Sequence, residues 1–122
     1  MPSVVRKRSY GSVRVFWLDR EQALKNLEKC AHRLLSERPE VEEVRLFGSL
    51  AEGRAVPGSD ADLLLVVKSD PAPPFKRAEK YMDYFLEVGL PVELFCYTRE
   101  ELQRISFAAE IYRKSLKLGP TS

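Results

Sequence analysis

An uninterrupted aliphatic run at residues 63–67, Leu-Leu-Leu-Val-Val, constrains this 122-residue chain more than any other feature. The run is short, lacks helical spacing and follows turn residues, so it predicts a buried β-strand. Two acids, Asp60 and Asp62, lead into it. Because alternate side chains of a strand point to the same face, the two carboxylates are expected side by side. The two carboxylates repel each other, and a nearby cation offsets this repulsion.

Magnesium is one cation that resolves this conflict, because it binds carboxylate oxygens together with substrate phosphates. The alternative is a solvated turn in which Asp60 and Asp62 simply face water before the strand begins. Both interpretations stay open on this pair alone.

The pair Gly48-Ser49 predicts a phosphate-sized backbone pocket ahead of the acids. A strand is expected over residues 41–47, followed by one helical turn that ends at Gly53. Glycine allows a close approach of the backbone to a ligand, and Ser49 can cap the turn or bond a phosphate oxygen. Unpaired N–H groups at a helix start also attract anions. An ordinary strand-to-helix turn is the alternative, and the chain has neither a P-loop nor a dinucleotide-binding glycine motif.

A third acid, Glu93, lies in the alternating segment 92–97. It is expected on the face opposite Val92 and Leu94, in an otherwise apolar strand. A carboxylate there is costly unless it meets a cation, so three carboxylates converge if this strand lies beside the one that follows Asp62. The alternative is an edge strand with Glu93 in water.

Two helices are expected around these strands. The first runs over residues 20–36 with Asp19 as its N-cap, and its single histidine, His32, falls away from the apolar stripe. The second runs over residues 75–88 and connects the two acid-bearing strands, as a crossover would if these strands are parallel neighbours. Its predicted buried residues are Ala78, Met82, Phe85 and Leu86.

A last helix is expected over residues 98–118, with Thr98 and Glu101 in a capping box. It carries two apolar stripes, so one can pack on the sheet while the other covers a partner. The alternatives are that both stripes are buried, or that the helix breaks near Ser106. The stripes comprise Leu102, Ile105, Ala109, Tyr112 and Leu116, and beside them Ala108, Ile111 and Leu118.

The first 18 residues form a separate segment. Arg6, Lys7 and Arg8 are expected in a solvated tail, with a contact to a partner as the alternative. Residues 13–17 alternate like a strand, so part of the segment can be ordered. Trp17 is expected in the core, and a base-stacking platform is the alternative.

Taken together, Gly48 and Ser49, a spacer of about ten residues, Asp60 and Asp62 before a strand, and Glu93 on a later strand form a specific constellation. In these residues the chain resembles the minimal nucleotidyltransferases of the DNA polymerase beta-like superfamily.

The resemblance covers roughly residues 20–105 and implies a single α/β (α+β) domain with a mixed sheet flanked by helices. The domain would occupy residues 19–118, with a tail at 119–122. The resemblance also implies ATP as substrate and two Mg²⁺ ions bound by Asp60, Asp62 and Glu93. Glu93 would in addition activate or orient the acceptor hydroxyl.

The chain departs from the family pattern in the short helix after Gly48-Ser49. Many relatives have basic residues there, whereas this chain has Leu50 and Glu52. Arg54 can take over the phosphate contact, or it can be a solvated loop residue. Ser59, just before the acids, is a further candidate phosphate contact.

Minimal relatives are commonly antitoxins that bind a small helical HEPN-type ribonuclease and attach AMP to one of its tyrosines. The resemblance therefore implies a helical protein partner, and a homo- or hetero-oligomer is open. A non-catalytic module that neutralises such a partner by contact is the alternative.

Composition limits the other function classes. A net charge of only +2 argues against a nucleic-acid partner. No apolar run is long enough for a membrane span. Cys30 and Cys96 lack metal-ligand spacing and are expected as buried thiols in a reducing cytoplasm.

Overall fold

A four-stranded mixed sheet forms the centre of the computed structural model, which describes residues 3–119. The strands are β1 Val5–Tyr10, β2 Val13–Leu18, β3 Val41–Phe47, β4 Ala61–Val67, β5 Val92–Thr98 and β6 Leu116–Leu118. The helices are α1 Arg20–Glu37, α2 Gly48–Glu52, α3 Pro74–Glu79, α4 Arg99–Arg104 and α5 Ser106–Lys114, with a 3₁₀-helix at Met82–Phe85. The sheet order is β5-β4-β3-β6, in which β4 and β5 are parallel and the other pairs are antiparallel.

The aliphatic run is the buried central strand that the sequence predicts. Strand β4 lies between β3 and β5 and is buried on both faces. Leu63 and Leu65 join the core formed with α1, while Leu64 and Val66 join a second core formed with α4 and α5. The sheet is therefore covered by helices on both sides, and the prediction of a mixed sheet flanked by helices is confirmed.

Helix α1 follows its predicted pattern. The Asp19 carboxylate accepts a hydrogen bond from the Gln22 backbone N–H at 3.0 Å, a cap that contributes about 1 kcal/mol. The helix packs its apolar stripe on the sheet, and His32 is exposed as expected. Cys30 and Cys96 are buried and not in a disulfide, also as expected.

The predicted helix over residues 75–88 is wrong. Helix α3 ends at Glu79, and the chain continues with tighter i→i−3 bonds through the 3₁₀-helix. Two side-chain contacts fix this change, because Lys80 pairs with Asp70 at 2.6 Å and the Tyr81 hydroxyl donates to Glu40 at 2.9 Å. As a result Tyr81 is buried, whereas Leu86, expected in the core, is 72% exposed. The segment still connects β4 to β5 as the predicted parallel crossover.

The predicted single helix over residues 98–118 is also wrong. The capping box of Thr98 and Glu101 is present, but the chain becomes extended at Ile105, so the alternative of a break near Ser106 is correct. Residues 116–118 form strand β6 instead of helix, because Arg45 holds Ser115 through its hydroxyl at 2.6 Å and its carbonyl at 3.1 Å.

The second apolar stripe does not form an open surface. Ala108 and Ile111 are buried in the core beneath α4 and α5, and Leu118 is buried in the core beneath α1. This second stripe therefore packs within the domain. In the first stripe Leu102 is buried but Leu116 is 46% exposed, so the alternative that both stripes are buried does not hold, and a partner on the first stripe stays a prediction.

Residues 3–18 are more ordered than expected. Strands β1 and β2 form an antiparallel hairpin, so Arg6, Lys7 and Arg8 lie in a strand and not in a tail. Trp17, expected in the core, is 43% exposed. The base of the hairpin is anchored through the buried Val4 and through the ion pair of Arg6 with Asp19.

A buried ion pair holds the crossover to the helices on the other side of β5. The Arg77 guanidinium is 4% exposed and binds the Glu101 carboxylate at 2.5 and 3.2 Å. Arg77 also donates to the carbonyls of Ala72 at 2.7 Å and Asp70 at 2.8 Å. The hydrogen bond from Arg77 lowers the pKa of Glu101.

We expect Glu101→Gln to lower the free energy of unfolding by about 3 kcal/mol at neutral pH, because it leaves a buried guanidinium without its counter-charge. Since the folded-state pKa of Glu101 lies below its ordinary value of 4.5, this stabilisation is present above pH 4.5 and is lost as pH falls through the lowered pKa. Denaturant unfolding at several pH values measures both effects. The neighbouring exposed substitution Glu100→Gln is the control and should change stability by less than about 0.5 kcal/mol; equal effects would contradict the role of this pair.

Candidate functional site: three carboxylates beside a glycine turn

The pairing of β4 with its neighbours positions Asp62 between two functional candidates. Antiparallel pairing with β3 aligns Asp62 with Phe47, and parallel pairing with β5 aligns it with Glu93. Partners in register project to the same face of a sheet, so Asp62 and Glu93 are neighbours there. The condition stated for convergence of the carboxylates, that the Glu93 strand lies beside the Asp62 strand, is met.

The three acids differ in exposure. Asp62 is half-buried, whereas Asp60 and Glu93 are exposed. Burial raises the pKa of Asp62, and the nearby charges of Glu93 and Asp60 raise it further. Glu93 and Asp60 thus lie close enough to Asp62 to affect its ionisation. Within residues 3–119, none of the three forms an ion pair with a lysine or arginine.

This donor set is chemically suited to a hard divalent cation. Carboxylate oxygens that repel one another, with no basic side chain among them, are the ligands that Mg²⁺ prefers. Across the part of the chain that the structure describes, no three His, Cys, Asp or Glu side chains already surround one point as metal ligands would. The assignment of Asp60, Asp62 and Glu93 as ligands therefore stays a prediction.

The turn at Gly48 is fitted to Asp62. Gly48 has a φ of +78°, a conformation that side chains disfavour. A Cβ atom built there would overlap the Oδ2 atom of Asp62. Gly48 is thus required twice, once by the backbone conformation and once by the carboxylate that occupies the side-chain space.

Helix α2 starts directly at this glycine. Its N-cap residue, Phe47, makes no side-chain hydrogen bond to the first turn, and the Asp62 carboxylate lies beside this end of the helix. The predicted helical turn after Gly48-Ser49, ended by Gly53, is confirmed.

Arg20 supports α2 from α1, a role that the sequence does not reveal. Its guanidinium donates to the carbonyl of Leu50 at 2.9 Å and to that of Ala51 at 3.1 Å. These bonds satisfy carbonyls at the C-terminal end of α2. Because 30 residues separate Arg20 from Leu50, no local motif could have indicated the contact.

Arg54 and Ser59 make local contacts. Arg54 pairs with Glu52 at 2.6 Å, with both side chains more than half exposed. The Ser59 hydroxyl accepts a bond from the Val56 N–H at 3.0 Å and closes the turn before Asp60. A phosphate contact by either residue stays a prediction, and for Arg54 the structure favours the solvated-loop alternative.

A cavity of about 680 Å³ lies between α2 and α5 and shares the Gly48 turn with the acids. Its lining combines aromatic and aliphatic surface with one lysine, which pairs with Glu110 at 3.0 Å. The volume is in the range of small-molecule sites. The lining residues are Phe47, Gly48, Glu52, Phe107, Glu110, Ile111 and Lys114.

A family model described as a nucleotidyltransferase domain matches residues 27–117, which is most of the chain and includes every candidate site residue. The chain belongs to this family. No curated protein matches the sequence of this nucleotidyltransferase domain.

Two solved structures resemble the domain in fold. A protein from Sulfolobus solfataricus, described as a candidate nucleotidyltransferase, is 23% identical with a TM-score of 0.61 and 80% of each chain covered. A toxin-antitoxin structure with AMP-PNP is 20% identical with a TM-score of 0.52, over 86% of this chain and 76% of that chain. At these identities the likeness establishes the fold.

We expect Gly48→Ala to destabilise the nucleotidyltransferase domain by about 3 kcal/mol, from the strained φ and from the displaced Asp62 carboxylate. Gly53→Ala is the matched control, because Gly53 has a φ of +77° but open space around its Cβ position. It should cost only about 1 kcal/mol. Urea denaturation gives both values.

A second variant separates the two contributions. In an Asp62→Ala background the overlapping carboxylate is gone, so the cost of Gly48→Ala should fall to that of Gly53→Ala. If Gly48→Ala and Gly53→Ala are equally costly in the wild-type background, the fit between Gly48 and Asp62 is not real.

Proposed function

We propose that the domain transfers a nucleoside monophosphate, AMP in the first instance, from a nucleoside triphosphate to an acceptor hydroxyl with Mg²⁺. The observation that supports this most is the register of Asp62 with Glu93 on neighbouring strands, next to the Gly48 turn, in a chain of the nucleotidyltransferase family. The reaction forms a new phosphate ester on the acceptor, breaks the bond between the α- and β-phosphates, and releases pyrophosphate.

The Gly48-Ser49 turn is suited to hold the distal phosphates. Backbone N–H groups at a helix start carry partial positive charge, and no side chain caps them in α2. Arg20, through the far end of α2, keeps the turn in position.

The carboxylates of Asp60, Asp62 and Glu93 would hold the metal. A divalent cation bound there would neutralise charge on the transferring phosphate and align the leaving pyrophosphate. Glu93 would take the proton of the acceptor hydroxyl, since it is exposed and lies on the outer strand β5.

The cavity beside the turn is suited to the nucleoside. Phe47, Phe107 and Ile111 offer apolar surface for a base, and Lys114 is a cation at the same wall. Nothing in this lining distinguishes adenine from other bases, so the assignment of ATP follows the family resemblance.

For the acceptor we propose a tyrosine on a helical, HEPN-type partner, so that the domain acts as an antitoxin in the cytoplasm. The fold likeness to a toxin-antitoxin structure with AMP-PNP supports this pairing. The two buried, unpaired cysteines are compatible with a reducing compartment.

A non-catalytic antitoxin is the second candidate. One observation favours it: helix α2 contains no lysine or arginine, and Arg54 just after it is held by Glu52. Such a module would neutralise its partner by contact alone, with weak or no nucleotide binding.

We expect Asp62→Asn and Glu93→Gln each to reduce AMP transfer by about 100-fold or more, because each removes a charge at the reacting phosphate or the proton acceptor. In the assay, the helical protein encoded by the neighbouring reading frame is co-expressed as the acceptor and incubated with the domain, Mg²⁺ and ATP labelled at the α-phosphate. Intact-mass analysis then measures transfer of AMP to this protein. Asp83→Asn, an exposed aspartate on the 3₁₀-helix, is the matched control and should transfer at the wild-type rate.

The outcomes separate the two candidates. Transfer that is unchanged in Asp62→Asn would contradict the assigned role of Asp62. A tight complex in which the wild-type domain never labels its partner would support the non-catalytic module instead.

A further inference from the structure

The hairpin of β1 and β2, residues 5–18, is here called the basic arm. Its positive charge is larger than the net charge of the whole chain suggests. It contains four cations, Arg6, Lys7, Arg8 and Arg14, and no acid, so its net charge is +4. The rest of the chain is −2, which leaves the overall charge of +2. The small net charge of the whole chain therefore does not argue against a nucleic-acid ligand on this arm.

Three aromatic rings lie among these cations. Tyr10 is 58% exposed, Phe16 56% and Trp17 43%. The strand register distributes them over both faces of the arm. One face carries Arg6, Arg8, Tyr10 and Trp17, and the other carries Lys7, Arg14 and Phe16.

Among the described residues, most of these groups have no ion-pair or ring partner. In residues 3–119, the ion pairs of the arm are limited to that of Arg6 with Asp19, at 2.9 Å. Lys7, Arg8 and Arg14 are exposed. A two-stranded hairpin is marginally stable alone in water, and exposed aromatic surface of this kind marks an interaction site.

The base of the arm adjoins the edge of the sheet that carries the acids. The Asp19 N–H donates to the carbonyl of Val4 at 2.6 Å, and Val4 packs against Gly89, shortly before β5. On the other side, Arg20 lies two residues after the arm and donates to carbonyls at the C-terminal end of α2. The base of the arm is therefore connected both to α2 and to the loop before β5.

We propose that the basic arm is a binding site for single-stranded nucleic acid. Its cations contact the phosphates, and Tyr10, Phe16 and Trp17 offer flat faces on which unpaired bases stack. Positive charge together with aromatic stacking surfaces is the combination by which proteins bind single strands without sequence preference.

The aromatic rings favour single-stranded nucleic acid over other acidic ligands. An acidic polypeptide would neutralise the cations but has no bases to stack on three exposed rings. A second copy of the arm is disfavoured because it would bring four cations against four. In duplex nucleic acid the bases are already stacked, so the rings would gain little.

The test measures binding of labelled 20-nucleotide single strands of mixed sequence, RNA and DNA in parallel, by fluorescence anisotropy at several salt concentrations. Trp17 is the single tryptophan of the chain, so its fluorescence reports contact with the arm directly. We expect quenching of Trp17 on binding. We also expect the logarithm of the affinity to fall with the logarithm of salt with a slope of about −2, as three phosphate contacts predict.

Two arm variants and a matched control make the test specific. The triple variant Lys7→Gln, Arg8→Gln, Arg14→Gln should abolish the salt dependence, and Phe16→Ala should weaken binding about 10-fold. The control removes three exposed lysines elsewhere, Lys29→Gln, Lys76→Gln and Lys117→Gln, and should retain binding within about twofold.

Circular dichroism and thermal unfolding verify that each variant keeps its fold. The proposal is overturned if a single strand leaves the fluorescence of Trp17 unchanged, or if the arm triple binds like the control triple. It is also overturned if poly-glutamate or a duplex of the same length binds more tightly than the single strand.

Discussion

The close approach of Gly48 to Asp62 is the constraint on which the rest of the site depends. The missing side chain of Gly48 leaves the space that the Asp62 carboxylate occupies, and the positive φ starts helix α2 at that point. Any larger residue would push the carboxylate away from β4 or the turn away from β3. A carboxylate and a row of backbone N–H groups are thereby held at the same corner of the sheet.

The surrounding fold keeps that corner in place from both sides. Helix α1 supplies Arg20 to the carbonyls of α2, while α4 and α5 cover the face on which Asp62 lies. The parallel pairing of β4 and β5 brings Glu93 to Asp62, whose pKa is raised by burial and then by repulsion from Glu93. Carboxylates with perturbed pKa values are typical of functional sites, which supports the proposed phosphate chemistry.

The sequence predicted the elements whose signals are local. The aliphatic run after Asp62, the N-cap at Asp19 and the turn at Gly48 each follow from residue type and spacing within a few positions. Predictions from hydrophobic spacing were wrong where polar contacts between residues far apart in sequence determine the backbone conformation. Arg45 ends the last helix by holding Ser115, 70 residues away.

The same limit applies to the site. The three acids and Gly48 could be named because strand alternation and the family pattern indicate them together. The support from Arg20 could not be predicted, because it joins residues 30 positions apart without a motif. Nor could the exposure of Trp17 be predicted, because an alternating aromatic strand is typical of a core as well as of an open hairpin.

Paramagnetic broadening by Mn²⁺, followed in amide NMR spectra, tests the central claim most directly. The account predicts that the amides of Gly48, Ala61 and Glu93 lose intensity first, at Mn²⁺ well below one equivalent, and that Asp62→Asn prevents this. Broadening that begins instead around other carboxylates, such as Asp70 and Glu101, or that is the same in Asp62→Asn, would contradict the assignment of this corner as the site of the chemistry.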